Sequence, residues 1–183
     1  MKLFLGITLP QEVRQALQTG HASLRSDYPY YEWVDEAQYH ITVADLGERS
    51  EHKMPIIKEA IEQSTFDIPR TRMYSIRTSV FQREGIEVYQ GFAKNKEIES
   101  IRARLVDLFS VSHENKMREK FTPHTIVARY KLPSKQQYLH LKKKLSRMKV
   151  DLEFEVREVH LFEVITNSTN PEYEILHTFE LVE

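Results

Sequence analysis

The 183-residue chain predicts an α+β protein built from two similar lobes, and three observations carry that expectation. Short runs that alternate apolar and polar residues recur along the chain, separated by stretches with helical apolar spacing. The second half repeats the vocabulary of the first, with no linker or low-complexity segment between them. One histidine-bearing, strand-like run falls in each half, at His40 and at His124. A single domain over residues 1–183, of two intimately packed lobes, is the expected organisation.

Leu3–Thr8 reads as a strand, and Pro10 suits the first turn of the helix that follows. Val13, Leu17 and Leu24, with Ala16 between them, keep helical spacing and predict one helix to about Arg25. Trp33–Val34 and Tyr39–Val43 read as short strands. Pro55 to Ser64 carries Ile57, Ala60 and Ile61 on one helical face. Tyr74, Ile76, Thr78 and Val80 alternate, Gln82–Gly85 turns the chain, and Ile86–Val88 alternate again, which predicts a hairpin.

In the second half, Ile98, Ile101, Leu105 and Leu108 form a helical stripe, and His124–Tyr130 is a β-rich run. Ser134 and Gln137 make a capping-box pattern ahead of a helix with Tyr138, Leu141, Leu145 and Met148 inward. Leu152, Phe154 and Val156 alternate with Asp151, Glu153 and Glu155, a strand with one wet face. Val159–Ile165 and Tyr173–Leu181 form a terminal strand pair around the turn-rich Thr166–Pro171.

Composition narrows the chemistry. The absence of cysteine excludes disulfides, thiol nucleophiles and every cysteine-based zinc or iron–sulfur site. Neither the Walker pattern nor GxGxxG occurs among the five glycines. HExxH is also absent, and no cofactor or metal is expected. No apolar run approaches the ~18 residues of a membrane span. Leu3 to Leu9 follows Lys2 in the manner of a short signal sequence, but Pro10 and charges follow it, so a strand is expected. A cytoplasmic, monomeric protein without membrane partners is the expectation.

The net charge of -1 conceals an uneven distribution. Residues 94–149 hold 15 basic against 5 acidic side chains, while residues 150–183 hold 1 against 9. The basic block contains His124, Arg129 and Lys142–Lys144, so one wall of a site built there would attract phosphate.

Of eight histidines, two stand in matched settings: Tyr39-His40-Ile41-Thr42-Val43 and Pro123-His124-Thr125-Ile126-Val127. In a strand, residues i and i+2 share a face, so His40 and Thr42 present an imidazole and a hydroxyl together. Two such strands facing each other across a cleft make a paired acid–base site, since imidazole with a pKa near ~6.5 serves either role. His21, His52, His113, His140, His160 and His177 lack these settings and read as structural or surface residues.

These two segments resemble the paired His-x-Thr-x signatures of the 2H phosphoesterase superfamily, in its RNA 2′,3′-cyclic phosphodiesterase (2′–5′ RNA ligase-like) branch. The likeness spans nearly the whole chain. It includes Leu3-Phe4-Leu5-Gly6-Ile7 with Leu9-Pro10, Trp33-Val34, Leu46-Gly47-Glu48, Phe121-Thr122-Pro123, Ala128-Arg129 and the late Tyr173. The resemblance implies a bilobal fold, two pseudo-symmetric lobes of antiparallel sheet plus helices flanking a central cleft. It also implies metal-independent hydrolysis of a 2′,3′-cyclic phosphodiester, at RNA ends or on small nucleotides, to a 2′-phosphomonoester, with reversible 2′–5′ ligation as the reverse chemistry. By position, His40 is then the proton donor and His124 the proton acceptor, and Thr42 binds a phosphate oxygen. Thr125, Arg129 and Tyr173 are further substrate-binding candidates.

Two departures stand out. Ile126 occupies the place of the second threonine, and Thr125, one residue early, points by alternation to the opposite face from His124. Arg129 shares that opposite face by the same count. Ala44-Asp45 replaces the commoner basic and aromatic pair. A nucleotide- or RNA-binding module on the same fold, its catalysis weakened or lost through Ile126, is the alternative reading.

Overall fold

A computed structural model describes residues 1–109, 120–131, 133–166 and 171–183 of the chain. Among the described residues, nine strands form two antiparallel sheets. The first has the order β3-β1-β8-β9, from β1 (Lys2–Thr8), β3 (His40–Glu48), β8 (Glu158–Val164) and β9 (Tyr173–Glu180). The second has the order β2-β6-β5-β4-β7, from β2 (Glu32–Trp33), β4 (Thr71–Gln82), β5 (Gly85–Phe92), β6 (His124–Lys131) and β7 (Glu153–Val156).

The expected α+β architecture is therefore present, with one histidine strand in each sheet. The lobes are not the two halves of the chain, however. The first sheet pairs the opening strands with the closing pair, and β2 crosses to the sheet of β6, where Trp33 pairs with Ala128. One buried apolar cluster accordingly runs from Leu3 to Leu181.

Helices cover both sheets. α3 (Met54–Thr65) and α4 (Lys96–Phe109) pack against each other and on the first sheet. The expected apolar stripes hold for Ile57, Ala60 and Ile61 and for Ile98, Ile101 and Leu105, while Leu108 stands exposed. α5 (Lys135–Leu145) packs on β4 and begins at the expected capping box: Ser134 Oγ accepts from the Gln137 amide, whose side chain accepts from the Ser134 amide. Burying Leu141 and Leu145 fixes its orientation, and Lys142 and Lys143 are left on its wet face.

Two elements differ from the periodicity. The single helix expected to Arg25 breaks at His21 into α1 (Gln11–Gly20) and α2 (Ala22–Asp27). His21 is buried there, with Nδ1 donating to the Leu17 carbonyl and Nε2 meeting Thr78 Oγ1 at 3.1 Å. In β4 a register shift between Ser75 and Thr78 changes the strand's phase. Tyr74 and Ile76 are exposed as a result, whereas Thr78 is buried, so the four alternating residues do not share one face.

Candidate functional site

Each catalytic candidate lies at the start of a strand, and the chain just before it holds its ring. Before β3, a 3-10 turn at Glu36–Gln38 is capped by Asp35, whose carboxylate accepts from the Ala37 amide. The closing carbonyls of such a turn have no helical partner, and Gln38 O accepts from His40 Nδ1 at 2.9 Å. Before β6, the extended Thr122–Pro123 segment supplies the equivalent contact: Thr122 O accepts from His124 Nδ1 at 2.6 Å. A carbonyl only accepts, so both Nδ1 atoms carry hydrogen and both Nε2 atoms are left for chemistry.

Both rings line one cleft of about 990 Å³ between the sheets. Aromatic pairs on neighbouring strands fix each of them. His40 packs at 4.9 Å from Phe4, which stacks on Phe162. His124 packs edge-on at 5.0 Å from Phe81, which stacks on Tyr89. The two halves of the site thus repeat each other in backbone hydrogen bond, aromatic support and strand position.

The repeat extends along the strands. His40 and Thr42 share the cleft face as expected. A register shift then places Leu5 opposite Ala44 but Gly6 opposite Thr42, so Val43 is an extra residue. Val43 and Ala44 are both fully buried, and Asp45 returns to the cleft face. In β6 the shift falls at the same step: Val88 faces Ala128 and Tyr89 faces Ile126, leaving Val127 extra. Val127 and Ala128 are fully buried, and Arg129 comes to the cleft.

Against simple alternation, Arg129 lies on the face of His124, because the bulge reverses the phase between them. Thr125 precedes the bulge and stays on the opposite face, 1% exposed, with no hydrogen-bond partner for its hydroxyl among the described residues. It does not line the cleft. Ile126 does, in the position matching Thr42.

Tyr173 at the start of β9 also lines the cleft, its ring edge-on to His40 at 4.6 Å. Its amide donates to Gln38 Oε1. Arg129 hydrogen-bonds its hydroxyl and pairs with Glu87 at 3.4 Å, which ties β9 of one sheet to β5 and β6 of the other. Burial holds the Tyr173 hydroxyl above the usual phenol range.

Electrostatics follow from enclosure. Burial presses the His40 pKa down to about 4, and the positive Arg129 and His124 push the same way against the Gln38 hydrogen bond. Burial also lowers His124, opposed by its Thr122 hydrogen bond and by Glu87. Both imidazoles are therefore neutral in the free protein at neutral pH.

Three cations in the cleft were not among the sequence candidates: Arg83, Arg102 and Lys120. Arg83 lies over the Phe81 ring at 5.3 Å. Arg102 reaches from α4, donates to the carbonyl of the bulged Val43 at 2.7 Å and covers Phe121. Their membership in the basic block 94–149 was the available signal for Arg102 and Lys120. Trp33 packs against the core and borders the cleft, and its indole donates to the Tyr28 carbonyl. Among the described residues, no three or more His, Asp or Glu side chains group as metal ligands, and no helix is long and apolar enough to cross a membrane.

This arrangement can do two things at once. It can hold an anion among Arg and Lys side chains and the Thr42 hydroxyl, and it can move protons through two Nε2 atoms. The chain is 24% identical over 98% of its length to an RNA 2′,3′-cyclic phosphodiesterase of Geobacillus stearothermophilus, of which it spans 57%. Its fold matches the crystal structure of TT0787 of Thermus thermophilus, with a TM-score of 0.76, 25% identity and coverage of 99% and 98% of the two chains. It also matches E. coli LigT complexed with 3′-AMP, with a TM-score of 0.75, 17% identity and coverage of 100% and 98%. Residues 12–166 match the model of the 2′-5′ RNA ligase superfamily. The chain belongs to that superfamily, the 2H phosphoesterases.

Proposed function

We propose that this protein hydrolyses a 2′,3′-cyclic phosphodiester, at an RNA end or on a small nucleotide, to a 2′-phosphomonoester. The observation that carries the reading is the pair of imidazoles lining one cleft, each with Nδ1 donating to a backbone carbonyl and, among the described residues, no hydrogen-bond partner at Nε2. The activity named for the Geobacillus relative is of this class.

In the proposed step a water oxygen forms a bond to phosphorus while the bond from phosphorus to the 3′ oxygen breaks. His124 Nε2 takes the water's proton, and protonated His40 Nε2 gives its proton to the leaving 3′ oxygen. Each transfer contributes roughly 10²–10⁴-fold. Burial makes His40 a strong acid once protonated, but in the free protein the first proton goes to the less depressed His124, so the assignment requires bound substrate to reverse that order. The bound phosphate supplies the negative charge that raises the His40 pKa, so substrate itself loads the acid. Thr42 and Arg129 bind the equatorial oxygens, where negative charge grows in the transition state, with Arg83, Arg102 and Lys120 adding positive potential. Tyr173 orients Arg129 and covers the His40 ring.

One observation favours a second reading. Ile126 presents an apolar side chain where a second hydroxyl would meet phosphate, which suits a nucleotide- or RNA-binding module with reduced catalysis. The two readings separate in one experiment. Incubation of the protein with a nucleoside 2′,3′-cyclic monophosphate in EDTA gives the 2′-monophosphate if it is a hydrolase. Tight nucleotide binding with an unopened ring gives the result for the binding module instead. Dependence of ring opening on an added divalent ion contradicts the proposed mechanism.

A further inference from the structure

The bulge at Val43 places a carboxylate, Asp45, where the matching bulge at Val127 places a guanidinium, Arg129. An anion in a phosphate cleft is repulsive unless it receives a donor. Gly47 N–H donates to Asp45 Oδ1 at 2.9 Å, which orients the carboxylate and leaves Oδ2 open. Gly47 holds a φ of 67°, a left-handed conformation that favours glycine, at a second bulge of β3 where Leu3 faces Gly47 and Phe4 faces Asp45. Among the described residues no cation pairs with Asp45.

Asp45 also stands at a junction. A second pocket of about 410 Å³ opens beside the cleft and shares His40, Thr42, Asp45 and Tyr173 with it. Lys2 and Phe4 line its other side. Resting on the proposed hydrolysis, His40 faces the 3′ oxygen, so the nucleoside carrying that oxygen lies on the His40 side, where this pocket opens. Water approaches from the His124 side.

We propose that this pocket receives the nucleobase and that Asp45 selects it by accepting hydrogen bonds from its edge. An ionised carboxylate only accepts and repels lone pairs, so the base must bring N–H groups. Guanine offers two adjacent donors, N1–H and N2–H, which Oδ2 and the remaining lone pair of Oδ1 can accept. Adenine and cytosine offer one amine beside an acceptor nitrogen. Uracil offers one N–H between two carbonyls. The preference is therefore guanine first and uracil last, and a charge-assisted two-point contact separates those ends by roughly ten-fold or more.

The test is calorimetric titration of guanosine and uridine 2′-monophosphates into wild type and Asp45→Asn, with kcat/KM for the two cyclic phosphates alongside. Asparagine keeps an oxygen for the Gly47 amide, and thermal denaturation checks that the variant folds. The expected result is guanosine preferred by about ten-fold or more in wild type and a ratio falling towards one in Asp45→Asn. Equal affinities in wild type, or a preference that survives in the variant, overturn the inference. Base-independent binding with intact turnover refutes the role of Asp45 and leaves hydrolysis standing. The expected preference without turnover refutes hydrolysis and leaves Asp45 standing. No binding of either nucleotide overturns both.

Discussion

His40 and His124 share chemistry but differ in how the protein has tuned them. Each is locked by a carbonyl two residues upstream, which fixes the tautomer, and each is enclosed enough that its charged form is disfavoured. Acid–base work requires one imidazole protonated and the other neutral. In the free protein that state is populated only where the pH approaches the lowered pKa values, about 4 for His40 and below 6.5 for His124. The profile of kcat/KM reports the free protein, so both of its limbs fall below pH 6.5. Bound phosphate stabilises the imidazolium, so the limbs of kcat move to higher pH. Measuring both profiles with one cyclic nucleotide checks this. A kcat/KM basic limb at or above 6.5, or limbs of kcat that do not move, contradicts the tuning.

At the level of the strand, two bulges at equivalent steps decide which side chains face the cleft. Alternation read from the sequence places His40 with Thr42 and Thr125 away from His124, and the structure agrees with both. It fails beyond Val43 and Val127, where one extra residue brings Asp45 and Arg129 to the cleft. A bulge depends on how a strand registers with its neighbour, here β1 and β5, and nothing local to Val43 or Val127 encodes it. The same physics hides the phase change in β4. Helix stripes and the capping box at Ser134 were legible because their contacts lie within four residues. Arg83 was not, and Arg102 only through its membership in the basic block, because their place in the cleft follows from how a hairpin turn and a helix pack. The strand phase also makes a prediction at Ile126, which occupies the matching place to Thr42. Ile126→Thr adds a donor to a charged phosphate oxygen, worth roughly 1.5–3 kcal/mol, and so raises kcat/KM by about ten-fold or more. Steady-state kinetics on a cyclic nucleotide read this directly. An unchanged or lower kcat/KM means that position 126 does not face the phosphate.

The molecule as a whole is arranged so that its two sheets each contribute one half of the site. Chain order does not separate them: the terminal strands share the first sheet, and Trp33 of β2 pairs into the second. Arg129, Glu87 and Tyr173 connect the walls across the cleft. The net charge of -1 coexists with a basic segment that supplies Arg102, Lys120 and Arg129 to that cleft, so positive potential is concentrated there. In the proposed mechanism His40 and His124 act as one catalytic unit on one phosphate. Groups that act as a unit are strongly non-additive when removed. The decisive measurement is therefore kcat on a 2′,3′-cyclic nucleotide for His40→Ala, His124→Ala and the double variant. Each single change is predicted to cost roughly 10²–10⁴-fold, and the double variant little more than the worse of the two. Full activity in either single variant, or losses that simply multiply in the double, would contradict it.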